Sequence, residues 1–294
     1  MELINKKNFY STLSNVKKLP ILAKLSPNVL EEISRKNIVG FKASQKLAYE
    51  CAVEAAKRLK VGMTEKSVSK WMDKYLQDRG VRGGFHQPLA WFGERTRFKG
   101  IKKETQALPS NRRLKSETEP VIIDIAPILD GYVSDIGFGF TLAPNPEFIK
   151  AREFLLELRN DIPEMFASSL TVAEIWQEID NKIKDRGYQN CHKKYILSVL
   201  GHRVYHIPFG WPLNYAGMYS VRAYWALASR GFFPELLSPY HKGEKIGVWA
   251  IEPHLGHREE NFGMKFEEIL VVEKDKAYWL QDNVPHVALP DGLY

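Results

Sequence analysis

The residues with chemistry in them gather first in the run Val121 to Phe138, VIIDIAPILDGYVSDIGF. Two β-rich stretches, Val121–Pro127 and Tyr132–Phe140, flank Asp130-Gly131. An Asp-Gly pair between apolar runs signals a tight hairpin, because both central residues of a type I′ turn need φ > 0. With Asp130 and Gly131 as the turn, Asp124 stands across from Gly137 and Ala126 across from Asp135. Asp124 and Asp135 then share one face as diagonal neighbours, roughly 7–8 Å apart at the backbone. Two carboxylates aimed at one spot repel, and need a shared proton or a cation between them. The plainer alternative is a surface hairpin whose two acids face water.

Further along come Gly201-His202, Ile251-Glu252-Pro253 and Lys265-Phe266-Glu267-Glu268-Ile269-Leu270-Val271-Val272. In this order and these settings the chain resembles the pita-bread metallopeptidases: methionine aminopeptidase, aminopeptidase P, prolidase and creatinase. The D-I-A-P-x-x-D-G-x-x-x-D run resembles their first two metal ligands, and the other three segments resemble the rest. The resemblance spans about residues 37 to 285. It implies an α+β chain of the pita-bread fold, a curved, mostly antiparallel sheet covered by helices. It implies two divalent ions, Mn²⁺ first among Mn²⁺, Co²⁺, Fe²⁺ and Zn²⁺, held by Asp124, Asp135, His202, Glu252 and Glu267. Oxygen and imidazole donors suit such ions, and the set lacks the thiolates that softer metals select. Glu268 competes with Glu267, but strand alternation sends the two to opposite faces. Glu267 shares parity with Ile269 and Val271 and matches the family strand, so Glu268 is expected behind it.

The departures from the family pattern concern the groups around the metals. Phe209 stands where a second histidine is usual, seven positions after His202. His206 is three positions early for that role. Lys99 stands near where a histidine on the substrate side is expected, Ala126 replaces a usual glycine, and Phe138-Gly139 replaces a usual Arg-Thr pair. His206, Glu252 and His86 are the candidates for moving protons. A lone loop histidine such as His86 is more often structural, although His86-Gln87-Pro88 resembles a loop of the smaller relatives. Gly263-Met264-Lys265-Phe266-Glu267-Glu268 resembles the G-x-R-x-E-D strand of aminopeptidase P and prolidase. By resemblance, the reaction is hydrolysis of an amide bond near a free amino terminus, in X-Pro peptides first. A creatinase-like or biosynthetic hydrolase acting on a non-peptide, and a binding protein that has kept the fold without catalysis, are the alternatives. The expected partner is therefore a peptide or small amide; many of the resembled enzymes are dimers, so the resemblance allows a homodimer, but the sequence itself does not give the oligomeric state.

The elements that must position these groups are legible in part. Residues 1–36 read as a polar, Lys-rich N-terminal extension with a short helix opened by Ser26-Pro27, and residues 37–294 as the catalytic domain. Apolar residues at helical spacing predict a helix over Ala43–Leu59 ending before Gly62, and Thr64 caps a second that stops at Gly80. Pro144–Ile183 reads mostly helical, with a capping box at Thr171-Val172-Ala173-Glu174. Lys245–Glu252, Lys265–Glu273 and Ala277–Gln281 read as strands, and Gly83–Gly100 as a loop. An aromatic-rich insertion at about 205–245 is expected either to fold over the site or to pack itself onto the body.

Composition sets the outer bounds. The 294 residues are 44% hydrophobic and 26% charged, ordinary for a globular protein. No apolar run approaches the ~18 residues that span a bilayer, and the N-terminus lacks a signal-peptide core. A cytoplasmic, membrane-free protein is the expectation, with Cys51 and Cys191 reduced. The net charge of +7 lacks the aromatic-interleaved basic pattern of a nucleic-acid module, so no nucleic-acid partner is expected.

Overall fold

The computed structural model describes residues 33–294 apart from 102–103, 208–214, 217–218, 221–226 and 229. Most of the predicted N-terminal extension, its Ser26-Pro27 helix, and Phe209 lie outside the described residues.

Chain order runs α1 (Arg35–Arg58), α2 (Glu65–Gln77), β1 (Leu89–Phe92), β2 (Val121–Ile125), β3 (Ile128–Leu129), β4 (Tyr132–Val133) and β5 (Ile136–Phe140). Then come α3 (Pro146–Ala167), α4 (Val172–Asp185), β6 (Gln189–Asn190), β7 (Gly201–Arg203), β8 (Tyr215–Ala216) and β9 (Tyr219–Ser220). β10 (Leu236–Leu237), β11 (Gly247–Ile251), β12 (His254–Gly256), β13 (Gly263–Val272) and β14 (Ala277–Trp279) complete it.

Helix α1 begins eight residues before the expected Ala43. Ser34 caps it by accepting from the Asn37 amide at 3.4 Å. Gly40 lies inside the helix because a Cβ there would come within 2.4 Å of the Tyr132 ring. Thr64 caps α2 in a full capping box, with the Ser67 hydroxyl supplying the reciprocal bond that a glutamate usually makes. Thr171 and Glu174 form the expected box at α4.

A ten-stranded sheet follows the path β1-β2-β5-β13-β11-β7-β10, with β12, β14 and β6 attached off it. Every pairing in it is antiparallel. The β2–β5 hairpin has the register read from its turn: Asp124 pairs with Gly137, and both Asp130 and Gly131 have positive φ, 50° and 85°. Strands β11 and β12 pair with β13 in one common register, Ile251 with Glu268 and His254 with Lys265. Between them Pro253, which has no N–H for the ladder, interrupts the strand. That register sets Glu252 opposite Glu267 at the break.

One face of the sheet is covered by helices. α1 and α2 pack on Ile123, Ile125, Phe138 and Phe140, while α3 and α4 pack on Trp249, Ile251, Phe266 and Leu270. Phe138 pairs with Phe266, and directly paired residues share a face. All four helices therefore lie on the same side, and residues of opposite parity, Asp124, Lys265 and Glu267, are left for the other. All ten residues of β13 are buried. Among the strands that the sequence does not predict are β1, inside the predicted Gly83–Gly100 loop, and β12, after Pro253. β1 covers the edge of β2 by pairing Leu89 with Asp124.

Candidate metal centre

The register just described lines up a row across the sheet. Asp124 of β2, Gly137 of β5 and Glu267 of β13 are successive partners, and Glu252 stands beyond Glu267. Asp135 precedes β5 on the hairpin, and His202 lies on β7 opposite Ala250. All of these side chains are buried, with exposures from 2% for Asp135 and Glu267 to 9% for Glu252. The five residues singled out by sequence are thus brought together. His86, from the segment before β1, joins them: its Nε2 is 3.0 Å from Asp124 Oδ1 and 3.2 Å from Asp135 Oδ1. His202 Nε2 lies 3.2 Å from Asp135 Oδ2, and its ring stacks on Phe85 with centroids 4.3 Å apart.

His206 is not brought in. Its ring lies tilted against Tyr132 at the tip of the hairpin, centroids 4.2 Å apart, and is absent from the described wall of the cavity beside the cluster. The reason is geometric: the chain leaving β7 bridges to Tyr132 and carries His206 to the turn rather than to the carboxylates. Lys99 pairs with the exposed Glu94 at the surface. Glu268 points to the helix face, where Arg159 grips it through Nε at 2.6 Å and Nη2 at 2.8 Å, and His286 Nε2 lies 3.0 Å away.

The residue that sequence reasoning missed is Lys265. Its Nζ is 2.7 Å from Asp124 Oδ2, 3.0 Å from Glu252 Oε2 and 2.8 Å from Glu267 Oε2, in a side chain 1% exposed. Parity could have found it, since Lys265 and Glu267 are two apart on one strand and must share a face. Gly137 leaves it room: a Cβ there would lie 2.7 Å from Lys265 Cε. Tyr195 and His254 were also missed. The Tyr195 hydroxyl donates to His254 Nδ1 at 2.9 Å, and His254 Nε2 donates to the Thr96 carbonyl at 2.6 Å.

Electrostatics divide the carboxylates into two kinds. Burial works against the ionisation of Asp124, but Lys265 and then His86 hold it below the usual carboxylate range. Burial likewise opposes Asp135, yet His86 and His202 hold it far below. Glu252 and Glu267 are pushed up, first by burial and then by the neighbouring acids, with Lys265 only partly offsetting this. His86 and His202 are raised despite burial, chiefly through Asp135. Burial also opposes the charge of Lys265, but Asp124 and Glu267 raise it well above the ordinary lysine value.

These residues fit a divalent cation. Two groups, His86-Asp124-Asp135 and Asp135-His202-Glu267, each offer ligand atoms within 4.8 Å of one another. Asp124 Oδ1 is buried with no hydrogen-bond partner among the described residues, as expected of an oxygen that serves an ion.

Beside the cluster lies a cavity of about 300 Å³ with a largely apolar wall. Phe85, Leu89, Trp91, Phe98 and Tyr195 form one part, and Tyr219, Leu227, Phe232 and Leu236 close it. The last four are described residues of the aromatic-rich 205–245 segment, and they both pack on the body and line the cavity. Lys194 is the one lysine or arginine in the described wall, and its Nζ donates to the Arg97 and Phe98 carbonyls.

A curled antiparallel sheet with helices on one side is the pita-bread arrangement, and the buried carboxylate–imidazole cluster on its other side could hold metal. The chain belongs to metallopeptidase family M24, whose sequence model matches residues 40–274. It is 23% identical over 157 residues to a methionine aminopeptidase of Archaeoglobus fulgidus, covering 53% of this chain and 49% of that protein. It is 26% identical over 173 residues to an uncharacterised peptidase of Staphylococcus aureus, covering 58% and 45%. The matches therefore span about half the length of these curated relatives. Among solved structures, the X-Pro aminopeptidase of Thermotoga maritima superposes with a TM-score of 0.63 at 16% identity, over 85% of this chain and 62% of that one. The prolidase of Pyrococcus furiosus superposes with a TM-score of 0.62 at 19% identity, over 85% and 65%. At these identities the likeness establishes the fold. Among the described residues no helix is long and apolar enough to cross a membrane.

Proposed function

We propose that the chain is a metal-dependent hydrolase that cleaves an amide bond near a free amino terminus, as X-Pro aminopeptidases and prolidases do. The observation that supports this reading is the convergence of Asp124, Asp135, His202, Glu252 and Glu267 on one buried spot beside an apolar cavity. These residues would hold two divalent ions, with Mn²⁺ the first candidate, and such ions supply an activated water and a polarised carbonyl. The chain's own part is to orient the substrate and shield it. Phe85, Trp91 and Phe98 offer an apolar seat for one side chain of it, and Tyr219, Leu227, Phe232 and Leu236 shield it from bulk water. Among the converging residues Glu252, whose carboxyl burial pushes up, is the candidate to accept and return a proton. The aminopeptidase type is favoured over the dipeptidase type. Among the described residues of the wall, the one lysine is already bonded to backbone carbonyls, and no other lysine or arginine stands there to meet the carboxylate of a dipeptide.

A second reading, hydrolysis of a non-peptide amide, is favoured by the same apolar wall. The test is turnover of a panel of X-Pro peptides of two to five residues by Mn²⁺- or Co²⁺-loaded protein. Release of the first residue from the longer members supports the peptidase reading. A panel left uncut while small apolar amides are hydrolysed supports the second.

A further inference from the structure

We infer that His86 is a metal ligand in this chain, and that Lys265 is the reason one is needed. The inference rests on the metal-dependent reading above. His86 Nδ1 lies 2.7 Å from the Gln87 carbonyl, which can only accept, so Nδ1 carries a hydrogen. Nε2 then faces two carboxylate oxygens, 3.0 Å from Asp124 Oδ1 and 3.2 Å from Asp135 Oδ1. A hydrogen on Nε2 serves one of them only. The hydrogen bond goes to Asp135, and Asp124 Oδ1 is left buried without a donor. A divalent ion between them would satisfy both oxygens and the nitrogen together.

His202 is held in the same way, with Nδ1 3.0 Å from the Arg203 carbonyl and Nε2 turned to Asp135 Oδ2. One ring nitrogen fixed by a backbone carbonyl and the other turned to the centre is the usual posture of a ligating imidazole. Both rings share Asp135, one on each of its oxygens.

Lys265 explains the extra nitrogen. Its three N–H groups are directed to one oxygen each of Asp124, Glu252 and Glu267. Those oxygens are turned to the lysine, so an ion beside Asp124 is short of donors from β2 and β13. His86 lies on that side and supplies the missing one.

The test counts metal. Metal-free protein is reloaded with Co²⁺, passed through gel filtration and analysed by mass spectrometry of the metal, with circular dichroism to establish folding. Wild type should hold about two ions per chain, His86→Ala about one, and the double variant His86→Ala with Lys265→Met about two again, because the released oxygens replace the imidazole. His86→Ala holding as much metal as wild type overturns the assignment of His86. A double variant that stays at one ion overturns the role of Lys265. Wild type that takes up no Co²⁺ at all overturns the metal-dependent reading itself, a different failure from the other two. X-ray absorption of the Co²⁺-loaded wild type needs no variant: outer-shell scattering from two imidazoles per chain is expected, and from one alone overturns the inference.

Discussion

Arg159→Met isolates one electrostatic term in the frame that holds β13. Glu268 is fully buried, and Arg159 meets it with two hydrogen bonds of 2.6 and 2.8 Å while resting 5.2 Å over the Trp279 ring. Removing the guanidinium leaves a carboxylate in the interior with His286 as its remaining side-chain partner. Breaking one side of a buried pair costs about 3–5 kcal/mol. Unfolding entropy near ~2.1 cal/mol/K per residue, over 294 residues, gives about 0.6 kcal/mol per degree. The melting temperature should therefore fall by roughly 5–8 °C. Replacing both partners, Arg159→Met with Glu268→Leu, removes the stranded charge and should recover most of the loss, because apolar replacement of a buried pair is often neutral. The assay is circular-dichroism melting of wild type, both single variants and the double. A single variant that melts within about 1 °C of wild type, or a double as unstable as the sum of the singles, would refute the reasoning.

Gly40→Ala sets helix propensity against packing: alanine adds about 1 kcal/mol in a helix interior, but a Cβ within 2.4 Å of the Tyr132 ring costs about 1–3 kcal/mol, so urea melts should show a net loss. Asp180 is bonded by His192 at 3.0 Å and Lys193 at 2.8 Å, and despite burial these partners pull its carboxyl down to about 2. A folded-state value below the unfolded one gives stability that is present above about pH 4 and lost as the pH falls toward 2. Asp180→Asn should therefore flatten the acid limb by on the order of 1 kcal/mol between urea melts at pH 5 and pH 3. Mn²⁺ at about a hundredfold over its Kd should add about 2.7 kcal/mol for each ion bound, or roughly 4 °C per ion, and a chelator should remove it.

How far the molecule could be read from its sequence depended on how local each determinant is. The hairpin register followed from Asp130-Gly131 alone, because a two-residue turn fixes every pairing after it. The helix caps at Thr64 and Thr171 followed for the same reason. Helix α1 was read as starting late because Gly40 belongs to a contact with Tyr132, far away in the chain. β1 is a four-residue apolar run amid glycines and aromatics, too short to declare itself until β2 is there to pair with it. In the site, the carboxylates and His202 were legible as a set. Lys265 was visible only as one letter of a strand motif, although its parity with Glu267 sends it to the same face. His86 had no local signal beyond being a loop histidine. Its position depends on the chain before β1 folding back against the hairpin, where the Phe85 amide bonds the Ala126 carbonyl.

The most direct test of the account is calorimetric titration of Mn²⁺ into metal-free wild type and into Asp135→Asn. Asp135 is the one carboxylate that both imidazoles face, so it belongs to both candidate ion positions. The account predicts saturable binding of about two ions to the folded wild type, and loss of binding at both positions in the folded variant. Equal binding by the two proteins, or none by wild type, would contradict it.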